Sequence, residues 1–149
     1  MKIIAGLAVT GMLLTMTTAA LAGPKDEALA VLDKWTKAFA DSDVDGIVKL
    51  YAPEALVLGT SSRDVITTPA GVRQYFEKSL LADKPRGAAL GHVETMVLSD
   101  TAVLLSGLDT ASGVRDGEPY NTDGRVTFVI ARRGAAWLIV HCHRSAMPE

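Results

Sequence analysis

Near the end of the chain, His141, Cys142, His143 and Arg144 place four chemically capable side chains in four consecutive positions. Histidines two apart on a strand point to one face and are able to share a metal ion. A catalytic zinc needs a third protein ligand, and the remaining histidine, His92, falls on a different strand. No metal site is therefore expected, and His141 and His143 read as a structural or interface pair. Cys142 between two histidines invites an activated nucleophile. Strand alternation opposes it, because sequence neighbours point to opposite faces and neither imidazole reaches the thiol. Cys142 is expected to be a small buried hydrophobe. Asp109, alone in an apolar strand, and His92 are the candidates for a general base, provided that apolar surroundings tune them.

These residues need elements to position them. Leu29, Leu32, Trp35 and Phe39 form a helical stripe within 25–40. Asp43 caps a second, short helix expected to reach Tyr51 and to stop at Ala52-Pro53. Residues 55–58 read as a short strand. Thr68-Pro69 starts a third helix, a cap residue followed by proline, which runs to about Ala82 with Val72, Tyr75, Phe76 and Leu80 inward. The pattern then changes to strands over 88–98, 101–111, 118–133 and 136–146, with turns at Ser99-Asp100, over 112–117 and at Gly134. Segregated helices and antiparallel strands mean an α+β fold with helices on one face of a curved sheet.

If Gly134 centres the last turn, Arg125 lies opposite His143 and Thr127 opposite His141. One face then carries Arg125, Thr127, Val129, Trp137, Ile139, His141, His143 and Ser145. The other carries Val126, Phe128, Ile130, Leu138, Val140, Cys142 and Arg144. The second is more apolar and should meet the helices. An arginine at its end needs an anionic partner or solvent. The first, with Arg125, Trp137, His141 and His143, suits a subunit interface.

The first segment reads as an address. Lys2 precedes an uncharged run that ends at Ala20-Leu21-Ala22, which is the pattern of a secretory signal peptide over 1–22. Residues 23–149 then form one domain, periplasmic or secreted, with no membrane attachment after cleavage. A net charge of −2 leaves no basic field for nucleic acid. A single cysteine excludes an internal disulfide.

The C-terminal run from Trp137 through Val140-His141, His143-Arg144-Ser145 and Pro148 resembles the last strand of the association (hub) domain of calcium/calmodulin-dependent protein kinase II. Phe39 to Pro53 resembles the end of its first helix and all of its second, and Val72 to Glu77 resembles its third. Arg125 to Val129 and the Met147-Pro148-Glu149 ending are similar to its exported bacterial relatives, of the SgcJ/EcaC-like or SnoaL-like kind. The resemblance implies the nuclear transport factor 2-like (NTF2-like) fold, a cone-shaped sheet around three N-terminal helices with a pocket inside. It implies self-association as a homodimer or a larger ring. No kinase motif and no calmodulin site accompany it, so no kinase activity is implied. Of the pocket arginines of the hub, only Arg144 is carried over. Phe128 and a position near Leu108 replace two others. By the same matching, Asp109 points outward.

Arg144, Trp35, Tyr75 and Phe128 are therefore the expected pocket residues, suited to a mostly apolar ligand with one acidic group. The expected function is binding of a small acidic or amphipathic molecule, together with self-association, without cofactor. Two alternatives stand beside it. One is an isomerase or dehydratase using Asp109 or His92. The other is a pure oligomerisation module.

Overall fold

The computed structural model describes residues 22–149. The signal peptide expected over 1–22 lies, but for its last residue, outside the described residues.

Helix α1 (Pro24–Ala40) begins with proline at its first turn, followed by Asp26 and Glu27 against the positive end of the helix dipole. It buries Ala28, Val31, Leu32, Trp35, Ala38 and Phe39. Helix α2 (Val44–Val48) is capped by Asp43, whose Oδ1 accepts from the Gly46 amide at 2.8 Å. It ends before Tyr51, earlier than its periodicity predicts. The Leu50 carbonyl accepts from the Ile139 amide at 2.8 Å, so the chain has already left the helix to join the sheet. Strand β1 (Tyr51–Leu58) follows and includes Pro53. Proline is tolerated because β1 is an edge strand and its register shifts between Tyr51 and Leu56. Helix α3 (Pro69–Leu81) is capped by Thr68, whose Oγ1 accepts from the Gly71 amide at 3.1 Å, and buries Val72, Phe76 and Leu80.

Four long strands complete the sheet: β2 (Gly87–Ser99), β3 (Ala102–Arg115), β4 (Glu118–Arg133) and β5 (Ala136–Ala146). Their order is β1-β5-β4-β3-β2. The sheet is not wholly antiparallel, since β1 pairs parallel with β5. That pairing needs a long crossover, so local periodicity carries no sign of it. The turn expected over 112–117 is tighter. Asp116 and Gly117 both have positive φ, which closes a two-residue hairpin between Arg115 and Glu118. The extra strand length carries Arg115 to the end of β3.

The β4–β5 register also differs from expectation. Arg133 pairs with Ala136, so the turn is centred between Gly134 and Ala135, a shift of one residue. A bulge then leaves Val140 unpaired between Ile139, opposite Ile130, and His141, opposite Val129. Thr127 therefore meets His143 and Arg125 meets Ser145. The bulge reverses the side of the residues before it. Ile139, expected on the outer face, is fully buried, and Trp137, two residues earlier, packs half-buried against the core.

The helices lie against the concave side of the sheet. Trp35 centres the packing, with its ring 5.2 Å from Phe39, 6.4 Å from Phe76 and 5.5 Å from Phe128, centre to centre. Around it close Leu32, Ile47, Leu80, Val103, Leu105, Ile130 and Ile139. Above this core the strands diverge from the helices and leave a cavity.

Candidate ligand site in the concave face

The cavity holds about 610 Å³ between α1, α3 and the inner side of β3, β4 and β5. Trp35 and Tyr75 line it, as does Arg144. Phe128 does not. It is 1% exposed and sits edge-on behind Trp35, as core beneath the site.

Asp109 also lines the cavity, contrary to the outward direction expected from matching. The β3–β4 ladder runs without a bulge from Ala102 to Arg115. Alternation from the buried Val103 and Leu105 therefore carries Gly107 and Asp109 inward, while Leu108 stands 45% exposed outside. Counting from those two residues was the sequence signal for this direction. Asp109 meets Arg144, whose Nε donates to Oδ1 at 3.0 Å and to Oδ2 at 2.7 Å. Nη1 of Arg144 donates to Thr60 Oγ1 and Nη2 to the Thr122 carbonyl, each at 2.9 Å. Gly124 is where the sheet makes room for the pair. A Cβ there would lie 2.6 Å from Arg144 Cζ and 2.7 Å from Asp109 Oδ1.

A second polar cluster occupies the far end. Asp83, just after α3, accepts from Arg115 Nη2 at 2.6 Å and from the Tyr120 hydroxyl at 2.8 Å, through the same Oδ2. These bonds hold its carboxyl below the usual carboxylate range. Arg86, the residue before β2, lies over the rings of Phe39 and Tyr120 at 5.5 and 5.6 Å and donates to the Tyr120 hydroxyl. With Lys78, the cavity wall carries four cationic side chains against the carboxylates of Asp83 and Asp109. The expectation of a single arginine is corrected. Arg86 and Arg115 occupy segments that read as turns, and only the closing of the sheet brings them to the cavity.

The other candidates fall elsewhere. His92 is on the exposed side of β2, with Nε2 2.8 Å from Glu94 Oε1, and is absent from the cavity wall. It cannot assist Asp109 there. Cys142 is buried behind the cavity near Tyr51, and burial pushes its thiol up to about 12. Tyr51 accepts from Trp35 Nε1 at 3.0 Å, and its hydroxyl is raised well above its usual value by burial. Burial likewise raises Tyr75. Among the described residues no group of three His, Cys, Asp or Glu side chains is placed to hold a metal ion. On the outer face Arg125 and His143 are exposed and His141 is half-buried, while Leu56 pairs with His141 and is 46% exposed. Trp137 does not join them.

Comparison with known proteins gives this geometry a context. None of the curated proteins matches the sequence. Among solved structures, a Xanthomonas campestris protein provisionally assigned as a calcium/calmodulin dependent protein kinase II association domain is 29% identical, with a TM-score of 0.78. The match covers 93% of this chain and 99% of that one. An NTF2-like superfamily protein from Salmonella enterica matches at TM-score 0.74 and 19% identity, over 84% of this chain and 92% of its own. A protein from Novosphingobium aromaticivorans, provisionally a scytalone dehydratase, matches at 0.73 and 8% identity, over 82% and 83%. The last two share the fold alone. The family model described as calcium/calmodulin dependent protein kinase II association domain matches residues 24–148, nearly all that the structure describes. By sequence and by its coned sheet, the chain belongs to the calcium/calmodulin dependent protein kinase II association domain family and has the NTF2-like fold.

Proposed function

We propose that this chain is an exported, self-associating binding module whose cone holds a small acidic molecule. The observation that carries the reading is the charge of the cavity. Lys78, Arg86, Arg115 and Arg144 face Asp83 and Asp109, a local excess of two positive charges in a chain of net charge −2. A concave site of one sign concentrates ligands of the other. Arg144 anchors the ligand. Its guanidinium has five N–H groups, of which three are engaged by Asp109, Thr60 and Thr122. The other two remain for an acid group, beside the apolar surfaces of Trp35 and Tyr75. Self-association uses the outer face around Arg125, His141 and His143, with exposed Leu56 beside them. Export rests on the N-terminal pattern.

The test is native mass spectrometry of protein purified from the periplasm, followed by amide NMR during titration with butyrate. A dimer or larger ring, cleaved near Ala22, with shifts at Thr60, Thr122 and Arg144, is the expected result. A monomer refutes the outer-face interface. An absence of shifts refutes the acid site.

The enclosure of Asp109 inside the cone favours one second reading, proton abstraction from a bound substrate. Against it, both Asp109 oxygens already accept from Arg144. A turnover abolished by Asp109→Asn, with binding retained, would turn the argument toward an enzyme.

A further inference from the structure

We propose that the Arg86 end of the cavity is a second acid seat, so that the cavity takes a short dicarboxylate with one acid group at Arg86 and the other at Arg144. The proposal rests on the acid-binding reading above and extends it. The Arg86 side chain is 8% exposed, yet its Nε is buried without any acceptor among the described residues. Such orphaned donors are rare in folded proteins. Among the described residues its one hydrogen bond runs from Nη1 to the Tyr120 hydroxyl. The carboxylate that would be its natural partner, Asp83, stands 4.0 Å from Nη1 and already accepts from Arg115 and Tyr120. Two guanidinium groups thus share one carboxylate. Nη2 has no partner among the described residues and, unlike Nε, is not closed off, so it is the donor that a carboxylate in the cavity can reach. The guanidinium carbon lies 5.5 Å from the centre of the Phe39 ring and 5.6 Å from that of Tyr120, and these contacts hold the group at the cavity wall.

The spacing of the two seats sets the ligand. Arg86 stands over Gly113, and Arg144 over Gly124, which pairs with Asp109. Asp109 and Gly113 lie on the same side of β3, four residues apart. At the usual strand rise this is about 13 Å. An arginine–carboxylate pair occupies roughly 4 Å at each end, which leaves about 5 Å between the two acid carbons. A saturated diacid of roughly five carbons spans that length. A monoacid, or a single tetrahedral anion, fills one seat only.

The test is calorimetric titration of the protein with butyrate, succinate, glutarate and pimelate at constant ionic strength. Glutarate should bind at least tenfold more tightly than butyrate, with affinity passing through a maximum along the diacid series. Arg86→Gln should bring glutarate down to the level of butyrate. Arg86→Lys keeps the charge and most of the stem but lacks the Nη2 donor. It should lose most of the gain as well, and it serves if the glutamine variant does not fold. Butyrate binding with no preference for a diacid, or a preference that survives both substitutions, overturns the second seat and leaves the acid-binding cone standing. Failure of every acid to bind overturns both.

Discussion

Replacing Asp109 with asparagine strands Arg144, and the structure fixes how much that should cost. The Asp109 side chain is 3% exposed and that of Arg144 15% exposed, joined at 2.7 Å. Removing one member of a buried ion pair typically costs about 3–5 kcal/mol, because the survivor keeps a desolvated charge. Two features lower the figure here. The asparagine carbonyl still accepts one bond from Nε, and Thr60 and Thr122 continue to accept from the guanidinium. The expected loss is therefore about 2–3 kcal/mol. For a domain of this size, at about 4 °C per kcal/mol, Tm should fall by about 10 °C. The assay is thermal and urea unfolding at pH 7. Protein concentration must be held fixed, because an oligomer makes Tm concentration-dependent. Arg144→Met alone should be worse, since it leaves a more deeply buried carboxylate unpaired. The double variant Asp109→Asn/Arg144→Met should cost less than the sum of the two by at least about 1.5 kcal/mol. A Tm change under about 2 °C for Asp109→Asn, or strict additivity in the cycle, would refute the claim that these side chains stabilise the cone as a pair.

Two further predictions follow from the same geometry. Cys142, buried with its thiol pushed up to about 12, should resist a disulfide reagent at pH 8 in the folded protein and react at once in denaturant; rapid labelling of the native state would show that the thiol is reachable. Asp83 titrates below its ordinary 3.8 when folded, so its contribution to stability is complete above that value and disappears as pH falls through the depressed one. The stability gap between wild type and Asp83→Asn should accordingly be constant from pH 7 to about 5 and close below pH 4, and a gap that widens on acidification would contradict the bonds from Arg115 and Tyr120.

Local elements were legible because their causes are local. The Thr68-Pro69 start, the Asp43 cap and the stripe through Leu32 and Trp35 each depend on a few neighbours, and each is present. The strand boundaries of β4 and β5 were equally plain from their turn residues and alternation. The His-x-His-Arg-Ser run carried the family, which the match over 24–148 shows. Errors entered where the signal lay in another part of the chain. Pairing of β1 with β5 ended α2 early, and the Val140 bulge turned Ile139 and Trp137 to the other side. Bulges leave no mark on alternation until the partner strand is known.

The site divides along the same line. Composition, charge, the burial of Cys142 and the arginine at the inner end of β5 follow from residue type and period, which the sequence states directly. The company of Arg144 does not. Asp109 comes from β3, Thr60 from the loop after β1 and Thr122 from β4, separated from Arg144 by 35, 84 and 22 positions. The Asp83, Arg86, Arg115 and Tyr120 cluster is likewise assembled from a loop and two strand ends. Arg86 and Arg115 read singly as turn residues, and Tyr120 as one position of a strand. A charge acquires a partner, and a cavity its sign, only when the sheet closes over the helices, and that closure is a property of long-range pairing rather than of any segment.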